Sequence, residues 1–276
     1  MNYLSLFSGI GAPEKALKNL GIPFNLVNYC EIDEHASKSY AAIHGVSEEL
    51  NLWDVTKITK DSIKERIDFI THGSPCQDYS LGGKQAGGDE GSGTRSSLMY
   101  ETIRIVGDYN PKFILWENVK NVLAPRHIHN FENYRNRLDE LGYNSYWKVL
   151  NSKDYGIPQN RERIFCISIR KDIDKGFDFP EPIELKLRLK DMLDDEVDEK
   201  FYIKDDKIQN LIKNITETQA INTMPDGTCR TIKSQYYKNS QANFLLQTSR
   251  GATGVAHVEK GKIKVKVRKV RKAHGR

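Results

Sequence analysis

The chain is poor in cysteine and has no long hydrophobic run, and each absence narrows what it can be. Its 276 residues include four cysteines, Cys30, Cys76, Cys166 and Cys229, with no Cys-x-x-Cys pair. Single cysteines argue against a disulfide framework and a structural zinc site, so we expect no metal and a reducing, cytoplasmic setting. No apolar run approaches the roughly 18 residues of a membrane span. The opening MNYLSLFSG lacks the basic segment that precedes the apolar part of a secretory signal.

Acidic residues are missing from the last 17 positions, which changes how the net charge of +5 is interpreted. Residues 260–276 contain nine Lys or Arg and no Asp or Glu, and the rest of the chain has 33 basic and 37 acidic residues. The main body is therefore not basic enough to indicate nucleic-acid binding by charge alone. The tail alternates charged and β-branched residues, a pattern compatible with an exposed strand or with a disordered basic arm.

Strand-like and helix-like segments alternate through the first 170 residues. This alternation predicts a doubly wound, mostly parallel α/β sheet, which binds ligands at the carboxyl ends of its strands. Two strand-like runs, 144–150 and 163–169, follow one another without a helix and predict an antiparallel edge. Beyond about residue 175 the chain becomes polar and less regular. We therefore expect a domain over 1–175 and a smaller irregular region over 176–276.

Two strand ends predict a site for an adenosine-type cofactor. The first strand runs into Phe7-Ser8-Gly9-Ile10-Gly11, and the second ends at Glu31, 22 residues after Gly9. Glycines let the backbone approach a ligand, and an acid at the end of the second strand accepts hydrogen bonds from a ribose. Glu14 stands where the third glycine of GxGxxG would be. A tight turn beside a solvated acid therefore remains the alternative.

Groups capable of nucleophilic and acid–base chemistry follow the later strands. Cys76 lies in Gly-Ser-Pro-Cys-Gln before a glycine-rich loop, and Glu117 follows the apolar run FILW. Arg161 and Arg163 alternate in QNRER and are expected to face the same way. Each has an ordinary alternative. Cys76 could be a buried inert thiol, Glu117 a helix cap or salt-bridge partner, and the two arginines part of an exposed charged turn. Their convergence on one crevice favours a catalytic site.

These segments resemble the cytosine-C5 DNA methyltransferases, and their sequences are similar to those of bacteriophage and prophage members of the family. Four blocks match the family's signatures in order, and the resemblance covers about residues 1–175. The blocks are LFSGIGAPEKAL (6–17), GSPCQDYS (73–80), WENV (116–119) and QNRERIF (159–165).

The resemblance implies a Rossmann-like methyltransferase domain that uses S-adenosylmethionine. Glu31 would hold the ribose hydroxyls, Ile32 would pack on the adenine, and Asp54 would face the adenine amino group. The full set of residues implied to bind the cofactor is Phe7, Ser8, Gly9, Gly11, Glu31, Ile32, Asp54, Pro75 and Leu98.

The resemblance also assigns roles in methyl transfer to cytosine in double-stranded DNA. Cys76 would add to C6 of the base, and Glu117 would donate a proton at N3 and contact N4. Arg163 would hold O2, and Arg161 would position the thiol loop or the base. The cytosine must leave the duplex to be reached, and the loop over 81–94 would close over it.

The match departs from the family after QNRER. The Leu-Thr-Pro-Arg-Glu-like block and the final Gly-Asn-Ser block are missing, and Asn239-Ser240 is only a superficial echo. Three interpretations follow: a truncated, weakly active or inactive product, a second polypeptide that supplies the missing blocks, or a tail that replaces them for phosphate binding. Other functions left open are a DNA-binding remnant or accessory subunit, a tRNA cytosine-C5 methyltransferase and a nucleotide-dependent oxidoreductase.

Overall fold

The computed structural model describes residues 1–79, 86–192, 228–230, 258–259 and 262–263, which form two units. The first unit comprises Met1–Leu150 and Glu162–Phe179, and the second comprises Asn151–Arg161 and Pro180–Arg276. The predicted division between residues 175 and 176 stays a prediction, because most of the later region lies outside the described residues.

The first unit is built on a six-stranded sheet with helices in its connections. Its elements are β1 (Asn2–Leu6), α1 (Ala12–Asn19), β2 (Asn25–Cys30), α2 (Glu34–His44), β3 (Phe69–His72), α3 (Met99–Tyr109), β4 (Phe113–Val119), α4 (Ile128–Glu140), β5 (Tyr143–Asn151, whose last residue belongs to the second unit) and β7 (Glu162–Arg170). A two-residue strand, β6 (Gln159–Asn160), belongs to the second unit.

The strand order β2-β1-β3-β4-β7-β5 confirms the predicted Rossmann-like, mostly parallel sheet. The strands β1, β2, β3 and β4 pair in parallel, whereas β7 runs antiparallel to β4. The chain moves to one side of β1 to form β2 and to the other side to form β3 and β4. Such a switch point opens a crevice at the carboxyl ends of the strands. Since β7 is antiparallel, its amino end lies at the same edge.

Local sequence explains where α2 begins and ends. The Asp33 side chain accepts a 2.8 Å hydrogen bond from the backbone N–H of Ala36, which satisfies a donor of the first turn. Gly45 ends the helix at φ 68°, a left-handed conformation that glycine adopts without strain. The segment EHASKSYAAIHG (34–45) predicts a helix that stops at Gly45, and α2 confirms this prediction to within one residue.

Alternation along β4 separates the core from the crevice. Ile114, Trp116 and Asn118 are buried, whereas Leu115 and Glu117 are half-buried. Successive side chains of a strand point to opposite faces, so FILWENV anchors the strand with one set and presents Glu117 with the other. The core of the sheet includes the buried residues Leu4, Leu6, Ile70, Ile114, Trp116, Ile164 and Cys166.

The second unit is described only in parts. Its Gln159 and Asn160 pair in parallel with Cys229 and Arg230 of β8 (Cys229–Arg230). Two further strands, β9 (Val258–Glu259) and β10 (Lys262–Ile263), pair antiparallel. The rest of the basic tail and the Asn239-Ser240 echo lie outside the described residues. Among the helices that the structure describes, none has the length and apolar character needed to cross a membrane.

Candidate functional site

The thiol loop follows β3 and is tied to β4 by hydrogen bonds. Trp116 Nε1 donates to Ser74 Oγ at 3.0 Å, and Asn118 Nδ2 donates to Ser74 O at 3.1 Å. A Cβ placed on Gly73 would lie 4.0 Å from Glu117 Oε2. The loop that carries Cys76 therefore lies against the strand that carries Glu117. Ser74 and Asn118 are not among the predicted functional residues, although Asn118 is part of the matched WENV block.

Cys76 differs from the other cysteines whose side chains are described. Cys30 and Cys166 are buried, and burial raises their pKa to about 12 and about 11. Both therefore remain protonated at neutral pH and are poor nucleophiles. Cys76 is only half-buried and lies in the loop after β3. The expectation of a buried, inert thiol thus fits Cys30 and Cys166 rather than Cys76.

Glu117 and Arg163 form an ion pair across β4 and β7. Arg163 Nε lies 3.1 Å from Glu117 Oε1, with 17% of the arginine side chain and 34% of the glutamate side chain exposed. The register places Glu117 opposite Phe165, so Arg163 is its diagonal neighbour on the same face. Arg163 Nη1 also donates to Glu162 O at 2.7 Å. The salt-bridge alternative for Glu117 is therefore present, inside the crevice rather than on an open surface.

Arg161 is the catalytic candidate that falls in the second unit. It precedes β7 and belongs to the second unit, where its backbone N–H donates to Asn151 Oδ1 at 3.0 Å. Its backbone carbonyl accepts from Ser152 N at 3.1 Å. Its predicted role toward the thiol loop or the base stays a prediction.

The turn after β1 has the backbone conformation expected of a ligand-binding loop. Phe7 and Gly9 have φ values of 52° and 55°, and a Cβ at Gly9 would meet nothing within 4 Å. The buried hydroxyl of Ser8 has no hydrogen-bond partner among the described residues. Gly11 has a packing reason instead: a Cβ there would overlap His44 and Tyr40. Its predicted cofactor contact stays a prediction.

The Glu31 carboxylate is fixed at the carboxyl end of β2. One of its oxygens accepts from Gly9 N and the other from Asp33 N, each at 2.8 Å. A carboxylate oxygen has two acceptor sites, so each oxygen can accept one further hydrogen bond. The geometry links Glu31 to the glycine turn and suits a pair of ribose hydroxyls.

Asn51, which is not among the predicted site residues, organises the neighbouring segment. Its Oδ1 accepts from Glu31 N at 3.0 Å and Trp53 N at 2.9 Å. Its Nδ2 donates to Glu31 O at 2.9 Å and Ser37 Oγ at 3.0 Å. These bonds hold Glu31 and Trp53 beside each other. No local sequence signal distinguishes Asn51 from an ordinary polar turn residue.

The remaining cofactor candidates, Ile32, Asp54, Leu98 and Pro75, differ in exposure. Ile32 is 67% exposed beside Glu31. The Asp54 carboxylate accepts from Thr56 Oγ1 at 2.8 Å and Thr56 N at 3.0 Å, and these hydrogen bonds lower its pKa. Leu98 packs against the core, and Pro75 is half-buried beside Cys76.

These residues fit S-adenosylmethionine in their chemistry. The unpartnered Ser8 hydroxyl and the open space at Gly9 lie in one turn, and Glu31 accepts a hydrogen bond from that turn. Ile32 offers an apolar face beside them. Together they provide polar contacts for a ribose and an apolar contact for a base.

The chain is similar in sequence to known methyltransferases. The family model described as C-5 cytosine-specific DNA methylase matches residues 1–275. The orphan methyltransferase M.SPRI of Bacillus phage SPR is 35% identical over 289 residues, covering 91% of this chain and 64% of that protein. The type II methyltransferase M.DsaV of Dactylococcopsis salina is 33% identical over 261 residues, covering 91% of this chain and 72% of that protein.

A solved structure shares the fold. The crystal structure of the S. pombe Dnmt2 methyltransferase matches with a TM-score of 0.65 at 21% identity, covering 86% of this chain and 72% of that one. The chain spans less than two thirds of the length of its phage relative M.SPRI. The match of the family model to nearly the whole chain, with both relatives above 30% identity, shows that the chain belongs to the C-5 cytosine-specific DNA methylase family.

Proposed function

We propose that this chain transfers a methyl group from S-adenosylmethionine to C5 of cytosine in double-stranded DNA. The observation that carries the proposal is the attachment of the Cys76 loop to the strand that bears Glu117. Two hydrogen bonds from β4 to Ser74 fix that loop, and Gly73 lies next to the Glu117 carboxylate. A thiol and a carboxyl group thus border one crevice at the carboxyl edge of the sheet.

The chemistry needs both groups because C5 of cytosine is a weak nucleophile. The Cys76 thiolate adds to C6, and the electron pair of the C5–C6 double bond moves into the ring, where an enamine makes C5 nucleophilic. Glu117 donates a proton to N3 and so neutralises the charge that this addition creates. When bound, S-adenosylmethionine supplies an electrophilic methyl group on a sulfonium. Solvent then takes the C5 proton, the C5–C6 double bond re-forms as the Cys76 thiolate leaves C6, and the N3 proton returns to Glu117.

Arg163 is the residue that orients Glu117 in this proposal. Its Nε pairs with the Glu117 carboxylate at 3.1 Å, while Nη1 is engaged by a backbone carbonyl. A guanidinium in this position restricts the rotamer of the Glu117 side chain. One carboxyl oxygen pairs with the arginine, and the other points away from it. Contact of Arg163 with O2 of the base and the role of Arg161 are retained as predictions.

Double-stranded DNA is the proposed substrate, and the base must be flipped out because C6 is inaccessible within the stack. The family match and the two methyltransferase relatives support this choice. A reducing, cytoplasmic setting would keep the Cys76 thiol available. Whether a second polypeptide contributes is part of the same proposal and is decided by assaying the chain alone.

Transfer of tritiated methyl groups tests the proposal. The purified chain is incubated with labelled S-adenosylmethionine and either duplex DNA or a tRNA transcript, and 5-methylcytosine is identified after nuclease digestion. We expect label in DNA and none with C76A. The variant C166A, which removes a buried thiol of the core, should retain transfer. Label in tRNA alone would replace the substrate, and cofactor binding without transfer would favour the accessory-subunit alternative.

A further inference from the structure

Trp53 has a strained backbone and an exposed side chain, a combination that packing does not explain. Its φ is 59°, in the left-handed region that is unfavourable for residues with a Cβ, and 43% of the residue is exposed. Glycine at this position would remove the strain. A residue whose backbone is strained and whose indole is exposed points to a role other than packing in the core.

The other strained positions support this interpretation. Among the residues that the structure describes, Phe7, Trp53 and Asn110 are the non-glycine residues with positive φ. Asn110 ends α3, where asparagine commonly adopts this conformation. Phe7 lies in the turn after β1, next to the proposed cofactor contacts. The two aromatic exceptions therefore occur in segments that carry predicted cofactor residues.

Specific hydrogen bonds hold Trp53 next to Glu31. Its N–H donates to Asn51 Oδ1 at 2.9 Å, and the same oxygen accepts from Glu31 N at 3.0 Å. Its carbonyl accepts from the Cys30 thiol at 3.2 Å. Cys30 ends β2, directly before Glu31. The N–H and the carbonyl of Trp53 thus both connect it, through Asn51 and Cys30, to the end of β2 that presents Glu31.

Two exposed apolar side chains accompany two acids at this edge. Ile32 follows Glu31 and is 67% exposed, and Trp53 precedes Asp54. A purine attached to a ribose requires this combination: an acid for the hydroxyls, an acceptor for an exocyclic amino group and apolar surfaces for the ring faces.

We propose that Trp53 is a further cofactor-binding residue, whose indole packs on the adenine of S-adenosylmethionine. The inference rests on the proposed function, because it assumes that Glu31 binds the ribose of that cofactor. Indole and purine rings stack through their π-faces, and such contacts contribute substantially to affinity. The backbone strain at Trp53 is the cost of placing a ring where a glycine would leave the base uncovered.

Titration of the full chain with S-adenosylhomocysteine, which carries the same adenosine, tests the proposal. Calorimetry compares wild type with W53G, W53F and the control W147A, which removes a second tryptophan of similar exposure (42%) from the regular strand β5. We expect W53G to melt no lower than wild type without ligand, yet to bind at least about fivefold more weakly. W53F should bind with intermediate affinity, and W147A should match wild type.

Tryptophan fluorescence provides an independent readout. Ligand should quench the emission of wild type and W147A, and the quenching should be lost in W53F. Equal affinity of W53G and wild type, or quenching that persists in W53F, would overturn the role of Trp53 while leaving the cofactor site intact. No binding by wild type would instead contradict the proposed function, and the inference with it.

Discussion

Glu117 Oε1 and Arg163 Nε lie 3.1 Å apart on neighbouring antiparallel strands, inside the crevice that the Cys76 loop borders. Replacing Arg163 by methionine keeps the side-chain length and removes the charge that orients the carboxyl. We expect the rate of methyl transfer to fall by about 10²-fold, the scale of a positioned acid–base group. Single-turnover kinetics with duplex DNA measures the change.

The control for this substitution is an exposed ion pair between the residue that follows β4 and the first residue of β7. Lys120 Nζ lies 2.9 Å from Glu162 Oε1, with about half of each side chain exposed. Exposed ion pairs contribute little to stability, so K120M should change the free energy of unfolding by no more than about 0.5 kcal/mol. The rate of methyl transfer should stay at the wild-type value. Equal rate losses in R163M and K120M would contradict a specific role for Arg163.

Ser74 should contribute to the free energy of unfolding through its buried hydrogen bond with Trp116. S74A removes the acceptor of the buried Trp116 Nε1–H, which then has no hydrogen-bond partner. The expected loss is about 1–3 kcal/mol in the free energy of unfolding, measured by urea denaturation. Ser39 on the exposed face of α2 is the control, and S39A should lie within about 0.5 kcal/mol of wild type. Matching midpoints for the two variants would argue against the hydrogen bond.

Gly11 should be required by packing rather than by ligand approach alone. A Cβ at Gly11 would overlap His44 Nε2, which bonds to Ile10 O at 3.1 Å, and would also overlap Tyr40. Gly21 has a similar positive φ (66° against 78°) with nothing within 4 Å of the added Cβ. G21A should therefore cost only the strain, roughly 1–2 kcal/mol, and G11A a further ~1–3 kcal/mol. Thermal denaturation of the two variants without ligand makes the comparison.

His72 should make the fold sensitive to acid. Burial lowers its pKa from 6.5 to about 3, and its Nε2 forms a 2.8 Å hydrogen bond with Tyr134 OH. Below pH 6.5 the unfolded chain gains a proton at this residue that the folded chain does not. The free energy of unfolding should therefore fall between pH 6.5 and pH 3, by up to about 1.4 kcal/mol per pH unit from this residue.

The variant H72Q isolates that contribution. Its free energy of unfolding, measured in urea at pH 7, 5.5 and 4.5, should vary less steeply with pH than that of wild type. The exposed residue His35 is the control, and H35Q should keep the wild-type slope. Identical slopes for H72Q and wild type would show that the buried ring does not drive the acid sensitivity.

Local patterns were sufficient to predict the elements that carry the site. Gly45 predicts the end of α2, and the apolar run in KFILWENV predicts the strand β4 that carries Glu117. These predictions are confirmed because caps and strand alternation depend on neighbouring residues. The parallel sheet followed from the alternation of elements, and its antiparallel strand from the two runs without an intervening helix.

Non-local contacts are the part that the sequence could not predict. The pairing of Glu117 with Arg163 depends on the register of β4 and β7, which are brought together only by the whole sheet. Asn51 gains its role from four hydrogen bonds, three of which go to Glu31 and Ser37 in distant segments, and nothing in NLWDV signals it. Trp53 has a backbone conformation that is normally favoured by glycine, so its residue type points away from the conformation it adopts.

The most direct test of the central claim is a covalent adduct between Cys76 and cytosine. The chain is incubated with S-adenosylmethionine and duplex DNA containing 5-fluorocytosine, whose fluorine prevents the final elimination. After digestion, mass spectrometry identifies the peptide that carries the base. The account predicts a methylated fluorocytosine attached to the Cys76 peptide, absent in C76A and present in C166A. Methylation of ordinary cytosine without any adduct on fluorocytosine, or an adduct on another residue, would contradict it.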